Sequence, residues 1–386
     1  MADIDIIATA TFGLEKVVAR EVEALGYGPV RVENSRVSFR ADASAVARCN
    51  IWLRSADRVL IRMGEFKTLS FEELFEQTKA LPWEEWLEAD ACFPVEGKSV
   101  KSKLFSVSDC QAIVKKAIVE RLKQFYKKQW FEETGPKYTI EVALLKDVAT
   151  LTLDTSGAGL HKRGYRKLSS QAPLKETLAA AMVQLSYWNP DRVLIDPFCG
   201  SGTIPIEAAM IGLNMAPGMN RGFAAESWPQ IPLSVWEQAR EEARDSVVKD
   251  RKLKIIGTDI DEKVLSMARY HRKLAGLEEQ IHLQRLPLAN VRSGYKYGCV
   301  ICNPPYGERL GERAEVEALY RQMRKVFDAL ETWSFYILTS HPRFEQIYGK
   351  VADRRRKLYN GRIECQLYQY FGPPPPKRRE EPAVLS

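Results

Sequence analysis

Histidine is scarce: four residues in 386, at 161, 271, 282 and 341. They show no i, i+4 pairing and have no carboxylate-rich cluster nearby, so the sequence implies no metal centre. The seven cysteines are an odd and scattered set, at 49, 92, 110, 199, 299, 302 and 365, which is not a disulfide framework, and reduced thiols are expected. Cys299 and Cys302 form a C-x-x-C, but no second pair stands at a zinc-ligand spacing. Both lie on a strand pattern, where they read as small buried apolar groups. No apolar run approaches the roughly 18 residues of a membrane helix. The start Met1-Ala2-Asp3-Ile4-Asp5-Ile6 has neither a basic region nor a cleavage site. A membrane partner is therefore not expected, and the cytoplasm is the expected location.

What is present fits an enzyme with a separate recognition half. Hydrophobic residues make up 45% and charged residues 28%, as in ordinary globular proteins. A chain of 386 residues exceeds one ordinary core, so two or three domains are expected. The formal charge of +7 agrees with a polyanionic partner.

Two motifs in the carboxyl half carry chemistry. Val193-Leu194-Ile195-Asp196-Pro197-Phe198-Cys199-Gly200-Ser201-Gly202-Thr203 is a short apolar strand followed by a glycine turn. The helical stretch Ile204 to Ile211 comes next. Gly200 and Gly202 let a ligand approach the backbone, and the helix N-terminus offers free N–H groups. A dinucleotide fingerprint would need a third glycine where Pro205 stands, which disfavours NAD. Asp196, at the strand end, suits a ligand bearing an ammonium group better than a pyrophosphate; S-adenosylmethionine has that group. Leu253 to Asp259 reads as a second strand. Its terminal carboxylate can accept both ribose hydroxyls, with Ile260 against an adenine face, although an acid before the helical stretch from Glu262 can equally be a helix cap. The usual spacing of about 20 residues is lengthened here by an insertion, Leu213 to Asp250, which has a Pro/Gly-rich start, two Trp residues and a helical pattern over Val235 to Val248.

The second motif, Asn303-Pro304-Pro305-Tyr306, follows the apolar run Cys299 to Cys302. The Asn303 oxygen and the Pro304 carbonyl can both accept hydrogen bonds from one exocyclic NH2, aiming its lone pair outward, while the Tyr306 ring stacks on a flipped base. Two prolines stiffen the turn. On its own the tetrapeptide is also a plain strand-to-turn junction; the glycine turn upstream favours the chemical reading. The strands near 193, 255, 281, 298 and 334 alternate with helical stretches near 175, 204, 262 and 313, the pattern of a doubly wound parallel sheet. Both motifs then lie at its carboxyl edge and can meet in one cleft.

The amino half has another rhythm. A strand over Ile4 to Ala10, a helix over Leu14 to Leu25, a hairpin over Val30 to Arg40, a helix over Ala43 to Ser55 and a strand over Arg58 to Phe66 make a ferredoxin-like β-α-β-β-α-β order. Helices over Phe71 to Ala80 and Cys110 to Tyr126 and a hairpin over Tyr138 to Leu153 follow. Lys98, Lys101, Lys103, Lys115, Lys116, Arg121, Lys123, Lys127 and Lys128 crowd into one stretch interleaved with Phe105, Phe125, Tyr126 and Trp130. A solvated helix face is the common meaning of such a run; base stacking with phosphate contact is the other. Thr155 to Pro173 is a Gly/Ser-rich linker whose His161, Lys162, Arg163 and Arg166 either touch phosphate or keep a loop solvated.

On Gly164-Tyr165-Arg166, Ala172 to Leu178, Asp196 to Thr203, Asn214-Met215-Ala216-Pro217-Gly218 with Arg221, Phe223, Glu226 and Trp228, and Asn303 to Glu308, the chain resembles the bacterial THUMP-domain RNA guanine-N2 methyltransferases, and within them the N-terminal half of large-subunit rRNA methyltransferase L. The resemblance covers the whole chain, and the insertion is its most specific part. It implies an α/β, Rossmann-like class I methyltransferase domain, mostly parallel with an antiparallel hairpin at the end, preceded by ferredoxin-like and THUMP modules. The implied division is 1–57 ferredoxin-like, 58–160 THUMP, 161–172 linker, 173–372 methyltransferase and 373–386 disordered tail. It further implies S-adenosylmethionine as donor and rRNA as substrate, with tRNA, or DNA adenine, as the alternatives. Pro173, Leu174, Lys175 and Thr177 would pack over the methionine end of the donor. Ala289 and Asn290 would lie at its adenine, Asn290 standing where relatives often have Asp. Lys101, Lys103, Lys115, Lys116, His161, Lys162, Arg163 and Arg166 are the candidate RNA contacts. A monomer and a homodimer are both compatible.

Overall fold

The structure, a computed structural model, describes residues 3–168, 174–307 and 312–376. The described chain divides into two units, one of Met1–Tyr165 with Asn214–Val248, the other of Arg166–Leu213 with Lys249–Ser386. The expected tail from Lys377 onward lies outside the described residues.

The first unit is built on a seven-stranded sheet. Its strands are β1 (Ile4–Ala10), β2 (Arg31–Glu33), β3 (Arg36–Ala41), β4 (Ala56–Lys67), β5 (Val95–Val100), β6 (Ile140–Leu145) and β7 (Val148–Asp154), in the order β2-β3-β1-β4-β7-β6-β5. The first four, with α1 (Glu15–Ala24) and α2 (Ser44–Trp52), form the ferredoxin-like module. The hairpins turn at Ser35, with φ 62°, and at Lys146 and Asp147, with φ 52° and 65°. Both Lys146 and Asp147 have positive φ, as in the type I′ geometry that matches strand twist. α3 (Phe71–Lys79) and α4 (Val107–Tyr126) pack together.

Two features depart from the sequence expectation. β5 pairs in parallel with β6 at the sheet edge. Its sequence, Val-Glu-Gly-Lys-Ser-Val, buries no residue fully, so it carries no apolar alternation to read. The expected boundary at 57/58 falls inside β4, which pairs with β1 over Ala56 to Ile61 and with β7 over Leu60 to Lys67. A register shift between Arg62 and Gly64 lets one strand serve both modules.

The insertion, expected to belong with the carboxyl half, packs over Asn214–Val248 within the first unit. Its helix α7, which follows α5 (Glu176–Gln184) and α6 (Thr203–Gly212) and spans Leu233–Asp245, lies on α2. There Arg48 grips Glu242 with two hydrogen bonds of 2.9 and 2.8 Å. The Trp228 ring stacks on Tyr138 at 4.5 Å between centroids, and its indole N–H donates to the Lys137 carbonyl at 3.0 Å. Phe223 stacks on Trp236 at 5.4 Å. Arg221 donates to the carbonyls of Gly159 and Lys162 at 2.7 and 3.0 Å. Trp228, Ile231 and Trp236 are almost fully buried. Each aromatic removes on the order of 200 Å² from water, at most about 5 kcal/mol of favourable transfer.

The second unit has β8 (Leu194–Asp196), β9 (Ile255–Asp259), β10 (Ile281–Arg285), β11 (Cys299–Cys302), β12 (Ser334–Thr339), β13 (Arg354–Asn360) and β14 (Ile363–Tyr370), ordered β10-β9-β8-β11-β12-β14-β13. β8 to β12 are parallel, and β14 runs antiparallel to both β12 and β13. This is the expected Rossmann-like sheet with its terminal hairpin. α5 packs on α6, and α8 (Glu262–Leu274), α9 (Glu312–Asp328) and α10 (Phe344–Tyr348) complete the layers. Cys299 and Cys302 are buried, as expected for packing groups; burial pushes the Cys299 thiol up to about 12. The strand order reverses at β8, so the carboxyl ends of β8, β9 and β11 border the crevice where open α/β sheets take ligands.

Candidate active site

A cleft of about 610 Å³ opens at those strand ends, within the range of roughly 300–1,000 Å³ for small-molecule sites. Its walls include Pro197 and Phe198 after β8, Asp259 and Ile260 after β9, Leu286 to Ala289 after β10, and Asn303 to Gly307 after β11. Two motifs more than 100 residues apart in sequence therefore share one cavity.

The glycine turn is held from behind. Asp259 accepts the Gly200 N–H on Oδ2 and the Asp261 N–H on Oδ1, each at 3.0 Å. Both oxygens keep a further lone pair for a ribose. Helix capping falls to Asp261, whose side chain accepts the Lys263 N–H at 2.8 Å, so the cap competes no longer for Asp259. Gly200 has φ 52°, and a Cβ there would meet nothing within 4 Å. Gly202 has φ 86° and caps α6 without a side-chain bond, leaving N–H groups free at the helix start. These features fit S-adenosylmethionine: an open glycine backbone, an uncapped helix start, a carboxylate at the end of β9 and an apolar wall at Ile260.

Asp196 is buried and accepts the Phe198 N–H at 3.1 Å. Desolvation holds its carboxyl well above the usual 3.8, and it lies behind the cleft wall, which Pro197 and Phe198 form. Cys199, Gly200, Ser201, Gly202, Thr203, Leu174, Lys175, Thr177 and Asn290 likewise are not in that wall. Asn290 ends a short 3-10 turn and donates its N–H to the Pro287 carbonyl at 2.9 Å, so Ala289 faces the cleft instead. Pro173 and Glu308 lie outside the described residues.

The Asn-Pro-Pro-Tyr turn is propped by groups that sequence reasoning missed. The buried Tyr320 hydroxyl of α9 donates to the Pro305 carbonyl at 2.7 Å and also meets Thr339 Oγ1 at 2.9 Å. The Tyr306 hydroxyl donates to Asn303 Oδ1 and is met by the Asn360 amide. Burial drives the Tyr306 phenol far above its ordinary 10, so it stays a donor. An amide oxygen has two lone pairs; Tyr306 takes one and fixes the Asn303 rotamer, and the other remains for a substrate amine. Leu319, Gln322, Asn360 and Ile363 form the far wall. They come from α9 and the β13–β14 hairpin, and no local motif marks them.

Three candidate RNA cations are engaged inside the protein. Arg163 is buried and donates to the Leu160 carbonyl at 2.7 Å and to the Arg54 carbonyl. Arg166 donates to the Leu174 carbonyl at 2.8 Å and to Thr203 Oγ1, and pairs with Glu176 at 3.2 Å. Lys115 bonds Glu133 at 2.6 Å and the Phe93 carbonyl at 3.0 Å. These three are structural ties, which the sequence read as surface charge. Lys101, Lys103, Lys116 and Lys162 are exposed and His161 is half-buried. Phe105 and Trp130 are 81% and 80% exposed, the first before the start of α4 and the second after its end.

His271 on α8 ties the segment entering this unit to the glycine turn. Its Nδ1–H donates to the Ser201 carbonyl at 3.1 Å and its Nε2 accepts the Leu168 N–H at 3.2 Å, which requires the neutral ring. Desolvation, with a smaller push from Arg166, lowers its pKa from the ordinary 6.5. The unfolded chain therefore takes up this proton first. The stability His271 protects is complete above pH 6.5 and is lost as pH falls toward the folded value. Thermal unfolding between pH 7.5 and 5.5 should show a decline that His271→Gln flattens; equal slopes in both proteins would rule this out.

The comparisons with known proteins agree with this architecture. A model of the RMKL-like methyltransferase domain matches residues 163–369, one of the RlmL ferredoxin-like domain 5–60 and one of the THUMP domain 69–154. The putative RNA methyltransferase YpsC of Bacillus subtilis is 49% identical over 98% of this chain and 99% of its own. The ribosomal RNA large subunit methyltransferase K/L of Syntrophotalea carbinolica is 36% identical over 96% of this chain, which spans only 54% of that relative. Among solved structures, a predicted N6-adenine-specific DNA methylase from Listeria monocytogenes has 53% identity and a TM-score of 0.92, with 97% of each chain covered. The putative methyltransferase SMU.472, complexed with SAH, has 44% identity and a TM-score of 0.92, covering 97% of this chain and 99% of that one. The chain belongs to the RlmK/L-like methyltransferase family, with an RlmL-type ferredoxin-like domain and a THUMP domain ahead of its catalytic fold.

Proposed function

We propose that this protein is an S-adenosylmethionine-dependent RNA methyltransferase acting on the exocyclic N2 amine of a guanine in large-subunit rRNA. The observation that carries the reading is the Asn303 turn in the wall of the same cleft as Asp259 and Pro197 and Phe198, which lead into the glycine turn. A THUMP-bearing unit and relatives named as RNA methyltransferases support RNA over DNA. The donor supplies a methyl group already activated on a sulfonium. Asp259, Ile260 and Ala289 bind it, with Asp196 and Gly200 shaping the turn behind them.

The residues on the other side position the base. Tyr306 offers its ring to the flipped base, Asn303 Oδ1 and the Pro304 carbonyl accept the two amine hydrogens, and Tyr320 holds the turn that aims them. Accepting both hydrogens turns the nitrogen lone pair toward the donor side. Positioning then supplies most of the acceleration, and the proton released from the methylated amine needs no dedicated strong base. Lys101, Lys103, Lys116 and Lys162 contact phosphate.

The test is label transfer from S-adenosylmethionine to rRNA from a strain lacking the gene, beside tRNA and duplex DNA, followed by nucleoside digestion. N2-methylguanosine in rRNA is the expected product. Labelled N6-methyladenine in DNA would replace this reading with the one suggested by the Listeria relative, and label confined to tRNA would redirect the substrate.

A further inference from the structure

The far wall of the cleft ends in a strand at the sheet edge. β13 reads Arg354-Arg355-Arg356-Lys357-Leu358-Tyr359-Asn360, joined to β14 through Gly361 and Arg362. Side chains alternate along it. Leu358 and Asn360 are buried, and Asn360 and its cross-strand partner Ile363 line the cleft. The opposite set is neutralised within the protein: Arg355 pairs with Glu345, and Lys357 with Glu364 at 2.6 Å. Arg362, at the tip beside the cleft, is exposed and makes no ion pair among the described residues; Arg354, also exposed, stands at the other end of β13, opposite Gln369 and about 20 Å from Asn360 at roughly 3.3 Å per residue.

A charged edge strand by itself is ordinary, because charge keeps an unpaired edge from recruiting other strands. Edge protection, however, does not explain an unmatched guanidinium at Arg362, which stands in the turn beyond the paired strands and next to the wall residues Asn360 and Ile363. A base drawn into the cleft brings its own phosphate and those of its neighbours to the rim. That is where Arg362 stands, one residue from Ile363 and two from Asn360.

We propose that the tip of the β13–β14 hairpin is an RNA-docking point of the methyltransferase domain, with Arg362 holding a phosphate that flanks the target nucleotide. This rests on the RNA reading above. It adds a contact surface inside the catalytic unit, independent of the basic residues of the amino half. Arginine suits the task because its fork matches a phosphate's oxygens in two parallel bonds.

The experiment compares the full-length wild type with Arg362→Ala and with the control Arg354→Ala, an exposed arginine at the far end of the same hairpin. The probe is rRNA from a strain lacking the gene, assayed with labelled S-adenosylmethionine across a series of salt concentrations. Arg362→Ala should raise KM for rRNA about threefold to tenfold and make its log–log salt dependence shallower by roughly one contact, while Arg354→Ala should change neither. The value of kcat at saturating RNA and the affinity for S-adenosylmethionine should stay at wild-type levels. Arg362→Lys should recover part of the KM. Unchanged KM and salt slope in an Arg362→Ala variant that merely aggregates more would overturn the proposal in favour of edge protection. A wild type that methylates no RNA would overturn the functional reading as well, so the two failures are distinguishable.

Discussion

Asn303→Ala should lower methyl transfer by about 10²- to 10³-fold, the scale on which losing one positioning group or a small misplacement of reacting atoms is felt. S-adenosylmethionine affinity should stay within about threefold. The asymmetry follows from the two sides of the cleft: Asp259 and Ile260 stand on one, and the Asn303 turn, braced by Tyr306 and Tyr320, on the other. Asn303 is half-buried, so removing its amide leaves the core of β11 intact. Asn303→Asp keeps an acceptor for the amine and for the Tyr306 hydroxyl, and should retain measurable turnover. Label transfer and calorimetric titration with the cofactor separate the two quantities. An alanine variant keeping a tenth or more of wild-type turnover would remove Asn303 from the chemistry.

Gly218→Ala should be strongly damaging to stability at a site outside the cleft. A Cβ at this position would lie 2.6 Å from Ile51 Cα and 2.7 Å from the Asn50 carbonyl oxygen. Both are backbone atoms that cannot swing away. The Gly218 N–H also donates to the Ile51 carbonyl at 2.8 Å. The start of the insertion must lift off α2, losing that bond and loosening the seats of Trp228 and Trp236, at a cost of about 3 kcal/mol. For a unit of this size that is a fall of roughly 6–12 °C in unfolding temperature. Gly222→Ala, four residues on, meets only the Glu226 carboxylate at 3.7 Å and should change little. Calorimetry of both full-length variants checks this, and similar transitions for the two would refute it.

The parts of the fold legible in the sequence are those whose signal is local. The strand ends at Asp196 and Asp259, the glycine turn and the Asn-Pro-Pro-Tyr turn each announce themselves within a dozen residues. The ferredoxin-like order was likewise readable from alternating apolar positions. What escaped notice depends on partners distant in sequence. β5 is half-exposed along its length and exists because β6 pairs with it. Asn360 and Ile363 reach the cleft, and Tyr320 its place under the Pro305 carbonyl, only once the terminal hairpin and α9 have packed. Arg163, Arg166 and Lys115 are ordinary basic residues in the sequence, and only their carbonyl and carboxylate partners reveal them as internal ties. The destination of the insertion was invisible for the same reason: Trp228 and Trp236 signal that they will be buried, without saying against what.

That destination constrains how the protein can be taken apart. A fragment beginning at Arg166 would still contain Asn214–Val248, now without Tyr138, α2 or the 157–162 loop to cover its indoles, and would present a greasy, unsupported arm to solvent. The amino-terminal fragment, ending at Tyr165, would be missing part of its own core. Separating recognition from catalysis in this enzyme therefore calls for grafting the excursion onto the first fragment and bridging Leu213 to Lys249 in the second, a cut that follows space and ignores chain order.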